Sequence, residues 1–164
     1  MTHCGEFVVQ RTSDEVFDLL ANPERFAPLL PDFESMAIRD VTHFTLRIVI
    51  AVGQIGGHAN LAMELYQIVR PTRVGYRGEG IIAGGNLRMS VDFAIAETGS
   101  AVQVHWHGAV TLDDRLGMMA GSLLESMAKR NFERMAERLQ NGLHPAAPAA
   151  AAVAPAPPEN DYEI

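Results

Sequence analysis

The stretch His43-Phe-Thr-Leu-Arg-Ile-Val-Ile-Ala-Val52 decides the fold. Phe44, Leu46, Ile48, Ile50 and Val52 fall on one side of a period-two alternation, and His43, Thr45 and Arg47 fall on the other. This is the pattern of a strand with one buried face. Working outward, the same period returns. Ala59, Leu61, Met63 and Leu65 alternate with Asn60, Ala62, Glu64 and Tyr66, and Val74, Tyr76 and Gly78 alternate with Arg73, Gly75, Arg77 and Glu79. Leu87, Met89, Val91, Phe93 and Ile95 then alternate with Arg88, Ser90 and Asp92. Val102, Val104, Trp106, Val110 and Leu112 close the series, opposite Gln103, His105 and His107. Turns fall at Gly53 to Gly57, at Pro71, at Gly84-Gly85 and at Thr98-Gly99-Ser100. Strands joined by such short turns form an antiparallel meander with one apolar face.

Something must cover that face. Asp113 can cap a helix that runs to about Asn141 with Gly142 as its stop, about 28 residues and therefore about 42 Å long. Leu116, Met119, Ala120, Leu123, Leu124, Met127, Ala128, Phe132, Met135 and Leu139 form its apolar stripe. Upstream, residues 5 to 10 read as a strand, and Thr12-Ser-Asp-Glu15 is a capping box for a helix that buries Val16, Phe17, Leu19 and Leu20. Asn22-Pro23 restarts a second short helix, which Pro28 and Pro31 end, and residues 34 to 40 add a strand.

The chain has 164 residues, a net charge of −7 and one cysteine. Its length suits one domain with a self-sufficient core. Cys4 cannot form an internal disulfide, and Met1 to Gln10 carries no basic-then-apolar leader, so a reduced, cytoplasmic setting is expected. No apolar run approaches the ~18 residues of a bilayer span. The acidic balance and the lack of a Lys/Arg cluster argue against nucleic acid as a partner. Composition shifts at Gly142: Leu143 to Ile164 holds five of the nine prolines and eight alanines, with no Lys or Arg. The expected organisation is therefore a folded domain over 1 to 142 and a disordered, extended acidic tail over 143 to 164. The closing Asn160-Asp-Tyr-Glu-Ile164 could serve as a docking peptide.

The order of strand, two short helices, curved antiparallel sheet and long C-terminal helix is that of the α+β helix-grip, or START-like (SRPBCC), fold, with the sheet wrapped around the helix. Asn22-Pro-Glu-Arg-Phe-Ala-Pro-Leu-Leu-Pro31, Val52-Gly-Gln-Ile-Gly-Gly57, Gly78-Glu-Gly80 with Gly84-Gly85, and Leu116-Gly117 through Gly121 resemble the CoxG family of carbon monoxide dehydrogenase subunits. Phe17 stands where a tryptophan is usual, and Pro31-Asp32 where such proteins often have Pro-Gly.

A curved sheet around one helix encloses a space that its side chains or a ligand must fill. The expected cavity wall is Phe44, Leu46, Ile48, Leu61, Met63, Tyr76, Leu87, Met89, Val91, Val104 and Trp106, facing Met119, Leu123 and Met127. Such a wall is apolar, and its methionines adapt to irregular shapes. Together with the resemblance, it implies a non-catalytic protein binding a lipophilic small molecule. A quinone or similar lipid fits, with Tyr76 or Trp106 offering one hydrogen bond, and no covalent cofactor is expected. The resemblance further implies service to a CO-dehydrogenase-like molybdenum enzyme through maturation, membrane recruitment or electron delivery, with transient membrane contact. Two alternatives stand beside it: a polyketide cyclase or dehydrase on the same fold, and a ligand-free interaction module. General acid–base catalysis needs a tuned side chain in the cavity. By parity Glu64, Glu79, Asp92, His105 and His107 face outward, so no catalytic residue is assigned. His105 and His107 could chelate a metal only if His43 or His58 supplied a third ligand, and no metal site is assigned. Gly78 to Gly85 precedes a strand and not a helix, which argues against a phosphate-binding loop.

Overall fold

The computed structural model describes residues 1–143; the expected tail from residue 144 onward lies outside the described residues. Seven strands form one antiparallel sheet: β1 (Thr2–Val9), β2 (Phe33–Ile38), β3 (His43–Val52), β4 (Ile55–Val69), β5 (Arg73–Ile82), β6 (Gly85–Thr98) and β7 (Ala101–Leu112). The helices are α1 (Ser13–Leu20), α2 (Pro23–Phe26), continued by a 3-10 turn at Ala27–Leu29, and α3 (Asp114–Gly142). Strand order is β1-β7-β6-β5-β4-β3-β2, so the meander from β2 to β7 is closed on its far side by β1. Helix α3 crosses the concave face, and the fold is the α+β helix grip.

Local chemistry places each element. Thr12 Oγ1 accepts from the Glu15 amide at 3.1 Å, and its hydroxyl donates to the Glu15 carboxylate at 3.2 Å, so the capping box starts α1. Asn22 Oδ1 caps α2 at the Glu24 amide, 3.0 Å away. Asp113 caps α3 through the Leu116 amide at 2.9 Å and also accepts from the Asn86 amide at 2.7 Å, which ties the helix start to β6. Those two backbone donors hold the Asp113 carboxyl below the ordinary carboxylate range. Asp40 closes the β2–β3 turn by accepting from the Thr42 and His43 amides, and its pKa is lowered to about 2, chiefly by the Thr42 amide. At the β5–β6 hairpin Ala83 and Gly84 have φ of +49° and +80°, left-handed at both central positions as a two-residue type I′ turn requires.

Burial follows the expected alternation along β3 to β7, with three departures elsewhere or at strand ends. Tyr66 faces outward as the alternation expects, but a bulge between Leu65 and Gln67 breaks the parity of β4 beyond it. The first strand begins at Thr2 and not at Gly5, because the Met1 ammonium donates to the Val110 carbonyl at 3.0 Å and extends the β1–β7 ladder. At the other end, Gly142 is the last helical residue, and Leu143, expected in the tail, is 4% exposed and packs in the core. Its carbonyl accepts from Arg11 Nε at 3.0 Å.

Helix α3 is kinked. Ala120 has φ −151° and ψ 24°, which breaks the helix between Gly117 and Gly121. Its buried residues are Leu116, Ala120, Leu124, Ala128, Phe132, Met135 and Leu139. Met119 and Leu123, expected on the stripe, are instead 55% and 50% exposed. They form the row beside the buried Leu116, Ala120 and Leu124, on the side of the β3–β4 hairpin, where Met119 shares a surface hollow with Gln54 and Ile55 and a Cβ on Gly53 would lie 3.0 Å from Leu123 Cδ1.

Candidate functional site

Between α3 and the concave sheet lies an apolar cavity of about 100 Å³, lined by nineteen residues. Strands β3 to β7 contribute Leu46, Ile48, Ile50, Leu61, Met63, Ile82, Leu87, Met89, Val91 and Val110. Phe26, Leu30 and Pro31 close one side, and α3 supplies Leu124, Met127, Ala128, Asn131, Phe132 and Met135. Asn131 is the only polar side chain in this lining; its Oδ1 is shielded from water and has no hydrogen-bond partner. Its Nδ2 donates to Asp32 Oδ2 at 3.2 Å.

Eight of the fourteen expected wall residues meet in this cavity: Leu46, Ile48, Leu61, Met63, Leu87, Met89, Val91 and Met127. Six do not. Phe44 and Tyr76 are buried in an aromatic plug, where the Tyr76 ring stacks on Phe26 at 4.5 Å and meets Phe44 edge-on at 6.1 Å. The Tyr76 hydroxyl donates to the Leu20 carbonyl at 2.5 Å, so it is committed to holding α1 and offers no hydrogen bond to an occupant. Burial pushes that phenol far above its ordinary pKa. Val104 is fully buried in the core outside the lining. Trp106 lies behind the wall and stacks on the lining residue Phe132 at 5.9 Å. Met119 and Leu123, half-exposed beside the buried row of α3, lie outside the lining.

The contacts that shape the wall are tight. A Cβ on Gly108 would fall 2.5 Å from Phe132 Cζ, so β7 carries no side chain where the ring lies against it. Arg138 Nη1 donates to the Leu30 carbonyl at 3.2 Å and fastens the far half of α3 over the cavity.

Several residues escaped the sequence reading. Asn131 sits four residues from both Met127 and Met135, so a polar side chain within a methionine stripe was the available signal. His3, upstream of the strand expected at residues 5 to 10, is another: it lies on β1 with its ring 6.0 Å from Phe132 and a buried, unpartnered Nε2. It is not part of the lining. Several acidic and basic groups of the sheet pair on the outer face, as in His43 with Glu64 at 3.3 Å, Arg77 with Glu64 at 2.7 Å and His105 with Glu6 at 3.2 Å. His107 lies opposite Cys4 and Asp92, whereas His43 and His58 stand on β3 and β4, so neither reaches the His105 and His107 pair.

A model of the CoxG family, the carbon monoxide dehydrogenase subunit of that name, matches residues 5–144. The chain belongs to the CoxG family. No curated protein matches the sequence. Among solved structures, a conserved protein from Geobacillus kaustophilus superposes with a TM-score of 0.74 at 13% identity, over 87% of this chain and 95% of its own. The Zhui aromatase/cyclase from Streptomyces sp. R1128 gives 0.66 at 17% identity, over 93% and 99%. A START superfamily protein from Mycobacterium smegmatis gives 0.63 at 11% identity, over 87% and 96%. At these identities the likeness is one of fold. The CoxG-family chain thus shares the helix-grip fold of these proteins, and among its described residues no helix is long and apolar enough to cross a membrane.

Proposed function

We propose that this protein is a non-catalytic carrier that holds a lipophilic small molecule, a quinone or a similar lipid, in the cavity beneath α3. In this reading it serves a CO-dehydrogenase-like molybdenum enzyme in the cytoplasm through maturation, membrane recruitment or electron delivery, with transient membrane contact to exchange its cargo. The observation that carries the reading is the lining: eighteen of its nineteen residues are apolar, and none is ionisable. An apolar hollow with one convergent polar group suits orientation of a lipophilic guest better than proton transfer. Membership in the CoxG family supports the enzyme served.

Size sharpens the proposal. A cavity of roughly 150 Å³ accepts a benzene molecule, so the 100 Å³ present here must widen before a quinone ring enters. Met63, Met89, Met127 and Met135 supply that adaptability, because an unbranched thioether changes rotamer at little cost. Native mass spectrometry of the purified chain, with organic extraction and titration of a short-chain quinone, tests the reading. A retained or added apolar ligand bound at one equivalent is expected; recovery of none together with no binding of the quinone overturns it.

A further inference from the structure

We propose that Asn131 makes the cavity selective for an occupant that carries a hydrogen-bond donor, a hydroxyl on an otherwise apolar body, so that a quinol or phenol is held more tightly than the matching quinone or ether. The inference rests on the carrier reading above and adds the chemistry of the cargo.

The amide of Asn131 has two faces, a donor and an acceptor, and the neighbouring residue decides which is free. Asp32 Oδ2 lies 3.2 Å from Nδ2. An ionised carboxylate only accepts, so it can bind the NH₂ and not the oxygen. The amide is therefore fixed with its NH₂ on Asp32, and Oδ1 is the end left over. That oxygen is shielded from water and has no partner, in the only polar side chain of the lining. A buried acceptor left unpaired is unfavourable by a factor of about 5 to 150 in equilibrium terms. A ligand hydroxyl brought to it recovers that factor, whereas a quinone carbonyl sets acceptor against acceptor and recovers nothing.

Asp32 is itself held for this task. Its φ of +62° is a left-handed conformation that favours glycine. Its carbonyl accepts from the Val49 amide at 2.9 Å, which anchors it to β3, and the preceding Pro31 lines the cavity. A side chain at a position where glycine would be unstrained gives the molecule an ion to orient Asn131. The other unpartnered buried polar atom among the described residues, His3 Nε2, lies outside the lining and takes no part.

The test is calorimetric titration of the full chain with four probes: a short-chain benzoquinone, its quinol kept reduced under anaerobic conditions, 4-nonylphenol, and the methyl ether of that phenol. Quinol over quinone and phenol over ether are each expected to be favoured about thirtyfold, the geometric middle of that range. Asn131→Leu should abolish both preferences while binding persists. Asp32→Gly, a substitution that suits the left-handed backbone, frees the amide to turn its NH₂ inward, so quinone affinity should rise and the preference collapse. A preference for quinol without one for phenol would assign the effect to redox state and overturn the proposal. So would a wild-type protein that binds quinone as tightly as quinol, or preferences that survive Asn131→Leu. If none of the four probes binds, the carrier reading falls and this inference falls with it; if all bind without preference, the carrier reading stands and the inference alone fails.

Discussion

Replacing Gly108 by alanine tests whether Phe132 is wedged between β7 and the cavity. The new Cβ would lie 2.5 Å from Phe132 Cζ and 2.7 Å from Cδ1, where ordinary contact begins at 3.4 Å, so the ring must retreat by about 1 Å. Trp106 stacks on one side of that ring at 5.9 Å and His3 stands 6.0 Å away. The open direction is the cavity. Overpacking of this kind costs about 1–3 kcal/mol. Gly108 has an ordinary strand conformation, so alanine also restricts the unfolded chain and offsets about 0.4–1 kcal/mol. The net expectation is a loss of up to about 2.6 kcal/mol, centred near about 1.3 kcal/mol and read as a lower urea midpoint with an unchanged slope. The displaced ring also narrows the cavity, so affinity for an apolar probe such as 4-nonylphenol should fall in the same variant. A Gly108→Ala protein as stable as wild type, with undiminished probe affinity, would refute the wedge.

Tyr76→Phe keeps the aromatic plug but strips the Leu20 carbonyl of its buried donor, and thermal denaturation should show a loss of about 1–3 kcal/mol; an unchanged Tm would contradict the role given to that hydroxyl. Gly117→Ala meets nothing within 4 Å in α3 and should stabilise by about 1 kcal/mol, which a denaturant titration measures; destabilisation would mean that the segment before the Ala120 kink is not helical in solution. Asp113 has a folded-state pKa below its unfolded value, so its cap is fully effective above about pH 4 and is lost as pH falls through the folded value. Between pH 6 and pH 3, Asp113→Asn should therefore show a shallower decline in urea midpoint than wild type, and parallel declines would show that the cap does not titrate. Tyr66 is pushed up to about 12, first by burial and then by its hydrogen bond to Asp92. Ultraviolet titration of Asp92→Asn should move that late phenol ionisation to lower pH, and an unmoved titration would remove Asp92 as a cause.

The sheet was legible because alternation is a local signal: Phe44 to Ile50 and Leu87 to Ile95 face the core as their parity demands. Caps at Thr12, Asn22 and Asp113 were equally legible, since each depends on side-chain chemistry within a few residues. Non-local facts were not. Which inward residues line a hollow and which fill a plug depends on where α3 and α2 lie against the sheet, and so Tyr76 and Leu46, alike in parity, differ in role. Helical spacing puts Met119 and Leu123 on the stripe, but the row that α3 buries is Leu116, Ala120, Leu124 and Ala128, and which neighbouring row is covered depends on where the helix lies against the sheet. Asn131 was missed because a polar residue on a helix reads as solvent-facing. Its orientation becomes evident only when Asp32, ninety-nine residues earlier, is seen to pair with it.

The central claim, that a lipophilic guest enters the cavity beneath α3, is tested most directly by methionine methyl NMR. Met63, Met89, Met127 and Met135 line the cavity, whereas Met1, Met36, Met118 and Met119 lie outside it. Titration of methyl-labelled protein with a short-chain quinol should shift the four cavity resonances together and leave Met118, 88% exposed on the outer side of α3, unmoved. Shifts confined to Met118 and Met119, or no shift at a saturating ligand concentration, would contradict the claim.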